Sequence, residues 1–299
     1  MLRVTQLVGF AAGRAIASGK VLAASGSYVL VGHDASLRKE TASKAITAGG
    51  GAYALTGTAA SVRPPFTPAN LTGLIHWTDM SVSGNITLSG SNITAIADRS
   101  GTGTNLINSG TVPYEATGFN GSYPCIHING ATLAILYAPG LLPMGTGNTL
   151  TVFYVGTCAE GSTSAGGRVL SYSTGGNDFN SAAHWMVSNS ASLTTNCYIT
   201  RNNLSSGAAG LTTYPAPYRF IFTIDSSGIV TAYVNGVAQT TATSTGNWVS
   251  GGNFVIGRQA FLVQDYWAGK IAECGVATGF TSSTDVARLD TYLKNKWGL

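Results

Sequence analysis

The stretch Arg219-Phe220-Ile221-Phe222-Thr223-Ile224-Asp225-Ser226-Ser227-Gly228-Ile229-Val230-Thr231-Ala232-Tyr233-Val234-Asn235-Gly236-Val237 decides the fold. Its two apolar, β-branched and aromatic runs are of strand length, and a Ser-Ser-Gly turn joins them. Asn235-Gly236 is a two-residue hairpin connection, because a type I′ turn needs positive φ at both central positions. The spacing predicts three consecutive antiparallel strands. Working outward, residues 149–158 alternate Leu150, Val152 and Tyr154 with Phe153 and Val155, so both faces of that strand read as covered. Leu74-Ile75-His76-Trp77, the Ile86, Leu88 and Ile93 pattern, Phe254-Val255-Ile256-Gly257 and residues 270–276 supply further strands. One helix closes the chain. Thr281 to Thr284 offer N-cap hydroxyls, Asp285 adds an early acid, and Val286, Leu289, Leu293 and Trp297 keep helical spacing. Gly298 ends it. The fold class is therefore all-β: an antiparallel jelly-roll sandwich with a C-terminal helix. Trp77 and Trp297 fit its core.

Composition agrees with a turn-rich β protein. The chain has 299 residues and 39 glycines, with a mean hydropathy of +0.19. Charged residues make up 9%, against about 25% in ordinary domains. Aromatics at 9% exclude a disordered chain. A surface so poor in charge is weakly protected against association, so a permanent homo-oligomer or a larger assembly is expected. The net charge is +4, and 16 Lys and Arg are scattered without a basic stripe, so nucleic acid is not a partner. No run of apolar residues is long enough to span a membrane.

The first third is organised differently. Residues 26–38 repeat at an offset of 25 in residues 51–63: Gly26-Ser27-Tyr28-Val29-Leu30-Val31-Gly32 answers Gly51-Ala52-Tyr53-Ala54-Leu55-Thr56-Gly57. Each unit reads as a small hairpin that buries little core by itself. Before the repeat, residues 1–18 form an apolar stretch with a leader-like start, interrupted by Gln6 and Arg14. It reads as an anchoring arm, with Leu2, Val4, Leu7, Val8 and Phe10 as its contacts. Residues 19–63 are the repeat region. Pro64-Pro65-Phe66-Thr67-Pro68 stiffens a linker over 64–70, and 71–299 is the sandwich.

Residues 71–299 resemble the concanavalin A-like lectin/glucanase superfamily in its laminin-G-like branch. The residues that carry the likeness are Leu71-Thr72-Gly73-Leu74-Ile75-His76-Trp77-Thr78-Asp79, Asp98-Arg99-Ser100-Gly101, Tyr233-Val234-Asn235-Gly236, Gly269-Lys270-Ile271-Ala272-Glu273 and the closing helix. The N-terminal repeat resembles short units of tailed-phage structural proteins. That resemblance implies a virion protein, exposed on a phage particle as a head decoration or fibre appendage and partnered by other capsid or tail proteins. Binding of a host surface glycan is the alternative.

The chemistry expected of such a domain is limited. Glycosidases of that superfamily carry acids at alternate positions of one strand, on one face. None of the 12 Asp and Glu here has another at i+2. Glu273 stands alone in its strand, and no G-x-S-x-G elbow, H-E-x-x-H or phosphate-binding loop occurs. No catalytic residue is assigned, and no cofactor. His76 and Asp79 read as a polar pair steadying a corner. Calcium through Asp79, Asp98, Asn177 and Asp178 is the alternative to their capping turns. Cys125, Cys158, Cys197 and Cys274 form no metal-ligand spacing and read as small buried hydrophobes, with disulfides as the alternative. A glycan site would need rings beside amides and acids. Its candidates are Asn177, Asp178, Tyr198, Arg201, Asn202, Trp248, Tyr266 and Trp267.

Overall fold

The computed structural model describes residues 65–299 except 131–135, 158–159, 163–166, 182, 191–195, 209–210, 212–214, 263 and 280. The anchoring arm with Leu2, Val4, Leu7, Val8 and Phe10, the repeat and Cys158 lie outside the described residues.

In chain order the strands are β1 (Leu74–Asp79), β2 (Ile86–Ser89), β3 (Asn92–Ile96), β4 (Leu106–Asn108), β5 (Tyr114–Phe119), β6 (Tyr123–Asn129), β7 (Leu136–Leu142), β8 (Leu150–Thr157), β9 (Gly161–Ser162), β10 (Arg168–Ser173), β11 (Trp185–Ser190), β12 (Asn196–Arg201), β13 (Leu204–Ala208), β14 (Pro217–Ile224), β15 (Ile229–Val234), β16 (Val237–Thr243), β17 (Gly252–Ile256) and β18 (Trp267–Ala277), followed by helix α1 (Ser283–Trp297). They form two antiparallel sheets. One runs β16-β15-β14-β8-β18-β6-β5, with β1 and β9 also on β18; the other runs β13-β12-β11-β10-β17-β7-β4-β3-β2.

The deciding stretch folds as its sequence predicts. Phe220 pairs with Val234, and Asn235 and Gly236 take φ of 51° and 82°. Strand β8 is buried along its whole length, because β14 and β18 flank it and both its faces are covered. Its even residues face the second sheet: Tyr154 stacks on Phe220 at 4.6 Å and its hydroxyl lies 3.1 Å from Cys197 Sγ on β12. Its odd residues face α1, as the Thr151 hydroxyl shows by donating to Thr281 Oγ1 at 2.7 Å. The first sheet is therefore the helix-side sheet. Ser282 caps α1 by accepting from Asp285 N, and Gly298 closes it in the left-handed region at φ 66°. Val286, Leu289, Leu293 and Trp297 are its buried stripe, as their spacing predicts.

The sandwich begins earlier than its expected boundary at Leu71. Phe66 and Pro68 are buried, and the Arg288 guanidinium lies 4.6 Å over the Phe66 ring. Within the stretch read as a stiff linker, Pro68 opens a short turn, Pro68–Asn70, with Thr67 and Asn70 exchanging capping bonds. Cys125, Cys197 and Cys274 are buried, in keeping with their reading as small hydrophobes. Burial pushes the Cys125 thiol up to about 12.

Candidate functional site

Acids and aromatics gather in two places, one on each outer face of the sandwich. Under α1, β1 and β18 pair so that Asp79 and Glu273 stand opposite each other. Glu273 Oε1 accepts from Trp77 Nε1 at 2.7 Å and the Tyr292 hydroxyl at 3.1 Å. Its Oε2 accepts from Trp297 Nε1 at 2.7 Å and Lys296 Nζ at 2.9 Å. Asp79 Oδ1 takes the backbone and hydroxyl of Ser81, and its Oδ2 takes Arg99 Nη1 and Lys296 Nζ, each at 2.7 Å. So this chain does hold a pair of neighbouring acids, which a search for i, i+2 spacing misses because they come from different strands. Burial drives the Glu273 carboxyl upward, against the pull of Lys296. Both carboxylates are buried and every oxygen is occupied. The cluster ties α1 to the sheet and presents no free acid to a substrate.

His76 does not pair with Asp79. Successive residues of a strand point to opposite faces, so His76 enters the inter-sheet core and lies 5.0 Å from the Phe254 ring, whereas Asp79 faces α1. His76 Nδ1 donates to Thr104 O at 3.2 Å, its Nε2 accepts from the Thr78 hydroxyl at 2.8 Å, and Asp98 is 3.7 Å away. Burial lowers its pKa to about 4. Asp98 caps its own turn through Ser100 and takes Trp77 N. The four residues weighed for calcium each have protein partners. Among the described residues no three His, Cys, Asp or Glu are grouped to hold an ion. His127 has a carboxylate on each ring nitrogen, Glu115 at 2.7 Å and Glu160 at 2.8 Å, on opposite sides of the ring.

The second gathering lies on the outer face of the other sheet. Tyr172, Trp185 and Phe254 point into the inter-sheet core, where Tyr172 and Trp185 stack at 6.3 Å. The alternate residues face outward. Tyr198, Ser188 and Arg168 form one cross-strand row. Beyond the Leu170–Ile256 pair Gly257 N bonds Val169 O at 3.0 Å, and Arg258 follows it into the loop before β18. Two loops roof this face, residues 174–184 and 257–266. Asn177 Oδ1 accepts from Gln259 Nε2 at 3.3 Å, and Gln264 Nε2 donates to Gln259 Oε1 at 2.9 Å. Arg168 holds Asp178 at 3.3 Å and Asp265 at 3.2 Å, so one guanidinium fastens both loops. The turn between β12 and β13 joins them: Asn203 N donates to Phe179 O at 2.7 Å, with Asn202 and Asn203 at φ 50° and 61°. His184 locks the first loop, donating from Nδ1 to Asn177 O at 2.7 Å and accepting from the Thr174 hydroxyl at 2.8 Å.

Half of the expected glycan residues fall away here. Arg201 has the opposite parity to Tyr198, so it points inward, 3.7 Å over the Trp248 ring, and donates to Gly246 O at 2.6 Å. Burial lowers its pKa to about 10. Trp248 gives its Nε1 to Thr149 O and is buried, as is Trp267. Asp178 is buried against Arg168, and burial raises its pKa despite that partner. These four build the fold. Asn177, Tyr198, Asn202 and Tyr266 remain at the roofed face. Trp185 is core.

No family model matches this chain, and no curated protein matches it. Solved structures do. The receptor-binding domain of botulinum neurotoxin type G superposes with a TM-score of 0.52 at 12% identity, over 74% of this chain and 52% of that one. Domain 4 of an extracellular GH43 arabinanase from Geobacillus stearothermophilus, solved with arabinotriose, gives 0.50 at 14%, over 73% and 98%. The binding domain of Paraclostridial mosquitocidal protein 1 gives 0.51 at 11%, over 75% and 53%. The shared fold is the β-sandwich. This chain spans about half the length of the toxin domains it matches. All three neighbours are described as binding domains or solved with a bound sugar, and at such identities the likeness establishes fold alone.

Sequence reasoning missed Arg168, Arg258, Gln259, Gln264 and Phe261. Phe261 had a legible signal: Ala260-Phe261-Leu262 is an apolar run in a loop, after its strand has ended. Phe261 is 52% exposed. Arg258 Nη1 donates to Gln259 O at 3.2 Å and Leu262 O at 3.1 Å, while its Nε is shielded from water and makes no hydrogen bond among the described residues. An unmade bond of that kind costs about 1–3 kcal/mol.

Proposed function

We propose that the sandwich is a non-catalytic glycan-binding module whose ligand face is the roofed outer face of the sheet that holds β10 to β13. The observation that carries the reading is the meeting of three loops distant in sequence, through the Asn203–Phe179 and Asn177–Gln259 bonds. They leave amides (Asn180, Asn202, Asn203, Gln264) and rings (Tyr198, Phe261, Tyr266) at least partly exposed on one side. Rings cover the apolar face of a sugar and amides fix its hydroxyls. A domain of this fold solved with arabinotriose supports the reading. The non-catalytic part rests on the saturated oxygens of Asp79 and Glu273. The test is retention of the full chain on a glycan array, with Asn202→Ala and Tyr198→Ala reducing it. No retained glycan overturns the binding reading, and release of reducing ends from a polysaccharide overturns the non-catalytic one.

A second reading concerns the residues before Pro65. The 25-residue repeat and its likeness to tailed-phage proteins support attachment of this chain, as a trimer, to capsid or tail proteins on a particle surface, where the sandwich would meet a host glycan. No cofactor is required for this role. Mass spectrometry of purified particles tests it; their lacking the chain overturns it.

A further inference from the structure

We propose that Arg258, Asp265, Tyr266 and Phe261 form a subsite for an uncharged sugar ring at one end of the roofed face. The inference rests on the glycan-binding reading and adds the class of sugar. Arg258 has donors to give. Two loop carbonyls fix Nη1, and among the described residues Nη2 makes no hydrogen bond and no carboxylate pairs with the group. A guanidinium held on one edge presents the other in a set direction. Asp265 supplies the acceptor. It is 22% exposed and meets Arg168 through Oδ2 alone. Its backbone is held at φ 55° by the bond from Arg168 N to Asp265 O at 3.0 Å. A donor and an acceptor in fixed positions suit neighbouring sugar hydroxyls, each of which can both give and take a hydrogen bond.

The rings are placed to match. Tyr266 follows Asp265 directly and is the electrostatic neighbour of Arg258. Phe261 precedes Leu262, whose carbonyl holds the guanidinium, so the exposed ring and Arg258 belong to one fastened loop. Charge selects the ligand class. Arg168 pairs with both Asp178 and Asp265, Arg258 adds a second cation, and Asn177, Gln259 and Gln264 add neutral amides, so two cations stand with two carboxylates. The cluster has no net charge to draw in an acidic sugar, so shape and hydrogen bonds decide.

Calorimetric titration of the full chain with neutral arabino-, xylo- and galacto-oligosaccharides, and with galacturonate oligosaccharides, at low and high salt, tests this. The expected result is binding of a neutral series that is insensitive to salt and weakened about tenfold or more in Arg258→Met. An unchanged urea midpoint shows that this variant folds. If the wild type binds a neutral sugar and Arg258→Met binds it equally, the subsite is wrong and the glycan reading stands. A salt-sensitive preference for galacturonate overturns the ligand class. Binding of no saccharide by the wild type overturns both.

Discussion

The two outer faces of the sandwich carry similar side chains in opposite states of completion. Under α1, two carboxylates meet a lysine, an arginine, a tyrosine and two tryptophans, and each oxygen has its donors. Across the sandwich, two carboxylates meet one arginine beneath loops, and a second, Arg258, keeps a donor unpaired among the described residues while rings and amides stand partly in solvent. A saturated cluster contributes to folding and has nothing left to offer a ligand. An unsaturated one costs stability and retains the capacity to bind. Counting carboxylates does not separate the two; counting their occupied oxygens does.

The sharpest way to break this contrast is Glu273→Ala. It leaves two indole N–H groups and a hydroxyl without their acceptor in a buried site, and leaves Lys296 with Asp79 as its one carboxylate. The expected loss is about 3–5 kcal/mol, read from urea unfolding of the full chain. Sugar binding at a temperature where the variant is folded should be unchanged. A loss below about 1 kcal/mol would mean that the cluster is not the staple its geometry indicates.

His76 provides the next effect through pH. Its folded pKa of about 4 lies below the ordinary 6.5, so folding favours the neutral ring. Its contribution is complete above pH 6.5 and is lost as pH falls towards 4, roughly 3 kcal/mol in all. Asp98, whose pKa is lowered by the Ser100 and Trp77 bonds against its burial, adds to the acid loss below that window. The raised Glu273 works the other way, its contribution falling as pH rises. His76→Gln should flatten the fall between pH 6.5 and 4; an unchanged slope would assign the acid lability elsewhere.

These residues also show what the sequence could reveal. The β14–β15–β16 meander, the fully buried β8 and the capped α1 follow from local signals: an Asn-Gly turn, two-sided alternation and an N-cap serine. The site follows from none of these. Tyr198 and Arg201 are near in sequence, and so are Tyr266 and Trp267, but strand parity sends one of each pair into the core. Asp79 and Glu273 meet only through the β1–β18 register, which no spacing rule contains. Asp178 and Asp265 are brought together by Arg168, an arginine with nothing in its neighbours to mark it.

Asp178→Ala tests how far the roofed face depends on that arginine. Arg168 keeps Asp265, so the expected cost is about 1–3 kcal/mol, smaller than at Glu273. Loop 174–184 loses its fastening to β10, and the face should lose sugar affinity along with stability. Affinity falling without any change in unfolding would show that Asp178 acts on the ligand itself.

Phe261→Ala should move stability least, and for that reason it separates the two faces most cleanly. Trp297 is fully buried against Phe119 and Tyr123 at 6.0 and 5.7 Å, so truncating it would remove core. Phe261 is half exposed and its ring packs in no core cluster. Surface truncations of this kind lie within about 0.5 kcal/mol of neutral. If the ring stacks on a sugar, the same change removes about 1 kcal/mol of binding, a severalfold fall in affinity with an unchanged urea midpoint. Unfolding and titration of one variant then give opposite answers, which is the behaviour of a binding residue. A drop in stability with affinity preserved would make Phe261 a covering residue of the Val255–Ala260 patch and would take the ring out of the site.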